Sequence, residues 1–309
     1  MLELITEPFA FEFMRHALYA GLLTVGAASL VGTWVVLRGM AFMGDAMAHG
    51  VLPGIAIAFL LGGNLFIGAM ASAAVMIGGV SLASARSRLG EDTAIGLLFV
   101  GMLAAGVAII SARGAYAGEL TTILFGDPIG VSVADLRTIA VVFAATIVVS
   151  VVCYRPFLVL TFSRAKARVL GLRPGTAHLL MLALIAAVVI GSFRTVGTLL
   201  VFAFIVAPPA TAALVARRVP VMMVASMLIG AVQVFVGLLL SFHLATATAA
   251  TIAGLSVLTF FVVLTSTELV ALVRRVAARR HGDGWSRDTD AQVHSAQVPT
   301  SSSRWDSTR

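Results

Sequence analysis

Apolar residues run along this chain in long blocks that charge seldom interrupts, and the lengths of those blocks set the predicted elements. A helix crosses a bilayer with about 20 apolar residues, at about 1.5 Å rise per residue through about 30 Å of hydrocarbon. Nine blocks fit that measure: 14–37, 48–63, 65–85, 93–111, 133–153, 176–193, 195–216, 220–242 and 249–273. The second and sixth are short, and the third and seventh begin almost where their predecessors stop, so the pattern predicts eight to nine spans. The expected fold class is therefore an all-α polytopic membrane protein. Glycines recur within the blocks, at Gly21, Gly26, Gly32, Gly78, Gly79, Gly96, Gly101 and Gly106. Each would cost a soluble helix about 0.8–1 kcal/mol against alanine. In a membrane bundle small residues let helix backbones approach closely, so a compact core is expected.

The polar positions divide the chain. Residues 1–13 read as an external amino-terminal segment and 14–273 as the transmembrane domain. The start, MLELITEPFAFEFMRH, is acidic where a signal peptide would be basic, and is not read as one. Beyond Arg280 the sequence HGDGWSRDTDAQVHSAQVPTSSSRWDSTR is almost free of aliphatic residues, so 277–309 is expected to be a disordered cytoplasmic tail. Orientation follows from the basic residues between spans. Arg38, Arg86, Arg88, Arg155, Arg164, Lys166, Arg168, Arg173, Arg217, Arg218, Arg274 and Arg275 fall on one side; Arg15, Arg113, Arg137 and Arg194 fall on the other. Twelve against four places the amino terminus outside and the carboxyl terminus in the cytoplasm.

Composition agrees with the pattern and closes other routes. Of 309 residues, 60% are hydrophobic and 11% charged, with a mean hydropathy of +1.03. A soluble domain carries about 25% charged residues, so a water-soluble globular enzyme is excluded. The net charge of +7 is carried by arginine, with Lys166 the one lysine, and basic charge on so apolar a chain marks cytoplasmic loops and a lipid surface rather than nucleic-acid binding. A single cysteine, Cys153, excludes an internal disulfide framework or a thiolate metal cluster.

Ionisable groups inside hydrocarbon are costly, which makes the few that occur functional candidates. Asp45 and His49 stand four apart in GMAFMGDAMAHGVLPG, at the cytoplasmic end of the second block, on one helix face. A carboxylate oxygen with an imidazole nitrogen suits Zn(II), Mn(II) or Fe(II). Two ligands are too few for a structural site, but a transport site must release its cargo. The alternatives are that the two side chains simply pair, or that Asp45 caps the helix. Met40, Met43 and Met47 form a second stripe, read as packing in preference to a Cu(I) site. Glu268, His178 and His243 lie near span ends and read as interfacial groups. Pro208-Pro209 breaks the seventh span, and a broken helix can line a pathway or simply kink.

Absences narrow the chemistry. There is no H-E-x-x-H, and the lysine that a phosphate-binding P-loop needs after glycine follows Ala165 instead. The chain is therefore not read as an enzyme, and any ATP-driven step must use another subunit. Among the loops, 154–175 is the longest on the cytoplasmic side, with five basic residues and no acid. Leu160, Phe162, Ala165, Val169 and Leu172 interleave with the charges, predicting a short amphipathic helix closed by Gly171. Such a helix can lie on anionic lipid or dock a cytoplasmic partner.

Three stretches together resemble the integral-membrane permease of the zinc/manganese/iron ABC importers: VLRGMAFMGDAMAHGVLPGIAIAF (36–59), AKARVLGL (165–172) and FRTVGTLLVFAFIVAPPATAALVARR (193–218). A weaker match is ILFGDPIGVS (123–132), and the likeness extends over about 14–273. It implies a multi-pass protein of the bacterial inner membrane that works as a homodimer. It further implies a separate cytoplasmic ATP-binding subunit docked on Arg164, Lys166, Ala167, Arg168 and Gly171 in a coupling loop, 154–175. An extracytoplasmic metal-binding protein would deliver the cargo, and Asp45 and His49 would line the metal path, with Pro208 and Pro209 at a helix break. No cofactor is expected to be held permanently; the cargo is a divalent metal, zinc first, manganese or iron next. The chain departs from the pattern at Ser163, often an acid, and at LATATAAT (244–251), where an Asp-x-Pro-x-Gly run is usual. The rival class is a secondary carrier or channel that needs no ATPase.

Overall fold

A computed structural model of the chain describes residues 7–86, 90–111, 130–162 and 173–295. Among the described residues, a short 3-10 turn at Pro8–Ala10 is followed by ten helices. They are α1 (Glu12–Leu37), α2 (Phe42–Gly50), α3 (Leu52–Leu60), α4 (Leu65–Arg86), α5 (Glu91–Ser111), α6 (Val133–Val152), α7 (Tyr154–Phe162), α8 (Pro174–Val215), α9 (Val219–Leu244) and α10 (Thr248–Ser295). Among the described residues there is no strand, and nine helical stretches are long and apolar enough to cross a membrane. The fold class and the upper span count are those expected from the blocks.

Three boundaries differ from the sequence reading, each for a physical reason. The second span begins at Phe42 rather than 48, because α2 tolerates Gly44 and the polar pair Asp45 and His49. The sixth and seventh spans join in α8, divided at Gly197 (φ 78°, ψ 159°), a backbone conformation open to glycine alone. The last helix runs beyond the last apolar block, to Ser295. Helical hydrogen bonds are local and need no core of their own, so a polar segment can continue a helix that it cannot bury. Residues 296–309 lie outside the described residues. Met1–Val262 form one compact unit and Val263–Arg309 a second.

Burial is graded within the first unit. α1 is the most enclosed span, and α2, α3 and α8 are also largely covered. α5 and α6 instead expose apolar side chains, among them Leu97, Val100, Val107, Val141, Val148 and Val151, as helices facing lipid do. The fully buried large side chains, Trp34, Met43, Met47, Met76, Phe157 and Phe204, belong to one core cluster. Glycine sets two of the closest approaches. A Cβ at Gly32 would strike the backbone carbonyl of Ile205, so α1 and α8 meet backbone to backbone. Gly54 and Gly68 do the same for α3 and α4, each lying against the other's carbonyl.

Candidate functional site

The candidate site hangs from the end of α1. Gly39, at φ 67°, closes that helix in a Schellman motif: the Met40 N–H donates to the Val35 carbonyl at 3.0 Å and the Gly39 N–H to the Val36 carbonyl at 3.1 Å. Helix α2 starts three residues later, with the Met43 N–H donating to the Met40 carbonyl at 2.9 Å. This short link fixes the register in which α2 presents Asp45 and His49.

Asp45 Oδ1 lies 3.5 Å from His49 Nε2, one turn apart, and both side chains are about a quarter exposed (27% and 23%). Pairing, one of the sequence alternatives, is therefore real. Capping is not, because the N-cap of α2 is Ala41 and no side chain caps it. The spacing also suits a cation. With metal–ligand bonds of about 2.0–2.2 Å, neighbouring ligands around a metal stand about 3.0–3.5 Å apart, so a metal can bridge these atoms with little rearrangement. Phe99 of α5 packs edge-on against the His49 ring, centroids 5.7 Å apart, and Phe42 packs on Phe99 at 5.2 Å. This aromatic wall gives the polar pair one apolar side. No third His, Cys, Asp or Glu joins it among the described residues.

Just past His49 the helical hydrogen bonding lapses for one residue while Val51 keeps helical dihedrals (φ −82°, ψ −16°), and this is what the sequence reading missed. α2 ends at Gly50, Val51 forms the joint, and α3 starts at Leu52 with Pro53 in its first turn. Proline brings no N–H, so the turn cannot close in the ordinary way. Pro53 thereby leaves the His49 carbonyl without its helical donor, and the neighbouring carbonyl of Gly50, which is buried, accepts from the Ser72 hydroxyl of α4 at 2.7 Å. In hydrocarbon each freed backbone group must find such a partner. The signal was present in HGVLPG, where Pro53 follows His49 by four residues.

The break expected at Pro208-Pro209 is absent: α8 stays helical through both prolines. Pro209 offers no N–H to the Ile205 carbonyl, and it is against this carbonyl that Gly32 packs, with the Pro209 ring beside it. Interhelical packing thus covers the groups that two prolines release. Met40, Met43 and Met47 are buried in the core, as the packing reading expected. His178, near the start of α8, is buried within the protein at 7% exposure, and Arg38 Nη1 donates to its Nδ1 at 3.0 Å. His243 is exposed near the end of α9, edge-on to Phe242, and Glu268 is exposed on α10. Arg164, Lys166, Ala167, Arg168 and Gly171 lie outside the described residues.

Comparison with known proteins identifies the family of the chain. The model of the ABC 3 transport family matches residues 10–267. The chelated iron transport system membrane protein YfeD of Yersinia pestis is 35% identical over 264 residues, 85% of this chain and 89% of that protein. The manganese transport system membrane protein MntC of Halalkalibacterium halodurans is 34% identical over 232 residues, 75% of this chain and 80% of that one. A solved structure of PsaBC from Streptococcus pneumoniae in complex with Fab superposes with a TM-score of 0.75 at 30% identity, covering 85% of this chain and 94% of that one. These relatives are named for iron and manganese, and the expectation of zinc as first cargo finds no support in them. The chain belongs to the ABC 3 transport family; it is a multi-pass transport protein of the bacterial plasma membrane, not an enzyme.

Proposed function

From that membership we propose that this chain is the membrane-spanning permease of an ATP-driven importer for a divalent transition-metal ion, manganese or iron. The observation that carries the reading is the Asp45–His49 pair, 3.5 Å apart beside a lapse in helical hydrogen bonding in an otherwise apolar span. The carboxylate offsets the cation's desolvation, and the imidazole adds a directional nitrogen ligand. One chain offers two such ligands, and a second copy across a two-fold axis supplies two more, enough to hold the ion while leaving it free to depart.

The amino terminus lies outside and the carboxyl terminus in the cytoplasm, as the arginines require. A separate ATP-binding subunit powers the cycle, since this chain has no P-loop. That subunit docks on 154–175, through Arg164, Lys166, Ala167, Arg168 and Gly171, and an extracytoplasmic metal-binding protein loads the opposite face. Relatives named for chelated iron and for manganese support the cargo class.

The test compares Asp45→Asn and His49→Ala with wild type for manganese and iron uptake, with permease abundance checked by blot. Asparagine keeps the carboxylate's shape and removes its charge, so uptake is expected to fall while abundance holds. Wild-type uptake at normal abundance in both variants would leave Asp45 and His49 as a structural pair.

A further inference from the structure

Both stems of the loop 154–175 close on a single turn of α1. On one side Trp34, fully buried, packs edge-on against Tyr154 and Phe157 of α7, each with ring centroids 5.6 Å away. On the other, Arg38 reaches α8, donating from Nη1 to His178 Nδ1 at 3.0 Å and to Met181 Sδ at 3.9 Å. Trp34 and Arg38 are four apart and so share one face of α1. α7 ends at Phe162 and α8 begins at Pro174, so these contacts grip the chain just before and just after the intervening segment. A guanidinium only donates, so His178 Nδ1 must accept, which fixes the ring's role in the contact.

The same turn of α1 leads straight to Asp45. Beyond Arg38 come the Schellman turn at Gly39 and a link of three residues, pinned by the bonds Gly39 to Val36, Met40 to Val35 and Met43 to Met40. The α7 and α8 stems are thus connected to α2 through one short, hydrogen-bonded link. We propose that Trp34, Arg38 and His178 form a coupling clamp: positioning residues that convey movement of the 154–175 loop to the helix bearing Asp45 and His49. The inference rests on the docking role proposed above for that loop. Arg38 and His178 touch neither metal nor nucleotide; they act through the elements they join.

The experiment uses the permease reconstituted with its ATP-binding subunit and its metal-binding protein. It reads ATP hydrolysis stimulated by the manganese-loaded binding protein, manganese transported per ATP, and capture of the ATPase. His178→Ala is expected to assemble normally, bind manganese as wild type does, and lose about tenfold of the stimulation, within the usual range of inter-site coupling. His178→Asn, which restores an acceptor oxygen, should recover most of it. The double variant with Arg38→Ala should be no worse than His178→Ala alone. Wild-type stimulation and stoichiometry in His178→Ala would overturn the clamp. So would a loss that comes with failed ATPase capture and that asparagine does not rescue. If wild-type permease neither captures the ATPase nor stimulates it, the docking role itself falls and the clamp with it. That result is distinct, because it appears without any substitution.

Discussion

The hydroxyl of Ser72 is the most economical place to test whether the lapse in helical hydrogen bonding serves the metal pair. It donates to the Gly50 carbonyl at 2.7 Å, and both residues are buried. Ser72→Ala keeps the Cβ that packs near Gly54 and removes only the donor. A buried acceptor left unsatisfied costs about 1–3 kcal/mol, whereas side-chain hydrogen bonds within membranes average about 0.6 and reach about 1.7 kcal/mol. The expected loss is therefore about 1–2 kcal/mol. Gly50 adjoins His49, so the freed joint adds motion that metal binding must suppress. If the whole loss falls on the bound state, affinity weakens by about five- to thirtyfold. The assay is thermal unfolding of the purified permease with and without manganese, together with equilibrium manganese binding. Ser29→Ala is the control, because the buried Ser29 hydroxyl has no hydrogen-bond partner among the described residues, and its removal should be neutral or slightly stabilising. Unchanged unfolding and an affinity within about twofold of wild type in Ser72→Ala would refute the reasoning. Equal damage in Ser29→Ala would refute it as well.

Gly32→Ala should destabilise by about 1–3 kcal/mol, since the new methyl meets the Ile205 backbone carbonyl rather than a movable side chain. Thermal unfolding checks this against Gly78→Ala, where nothing lies within 4 Å and stability should hold. Pro53→Ala should reduce manganese uptake more than Pro209→Ala does, because the helical hydrogen bonding lapses beside the former, whereas α8 continues through the latter. Uptake normalised to permease abundance decides it, and equal effects would remove the lapse from the mechanism.

The spans were legible because block length against bilayer thickness is a one-dimensional measure, and glycine's role was legible in kind. Which glycine meets what was not. Gly32 and the Ile205 carbonyl come from distant segments, and only packing brings them together. Asp45 and His49 could be picked out from rarity and spacing alone, since four residues on a helix fix a shared face whatever the tertiary structure. His178 escaped for the opposite reason. Its partner Arg38 is 140 residues away, and nothing local distinguishes a buried, hydrogen-bonded histidine from one at the membrane surface.

The prolines show most clearly where a local rule stops. Proline always removes a backbone donor, but whether the helix yields depends on what neighbours offer the freed carbonyl. At Pro208-Pro209 the backbone of α1 presses close through Gly32, and α8 continues. At Pro53 the carbonyl deprived of its donor is that of His49, the adjoining Gly50 carbonyl is taken by a hydroxyl from α4, and the helical hydrogen bonding lapses between α2 and α3. The first arrangement shields a core contact, while the second places the lapse at Val51, two positions from His49 of a carboxylate–imidazole pair whose side chains are about a quarter exposed. A metal in transit needs ligands that can move together and apart. Of the two proline sites, only the one beside His49 adjoins the carboxylate–imidazole pair proposed above as the transient metal site, and it is there that the sequence concentrates its rare intramembrane charge.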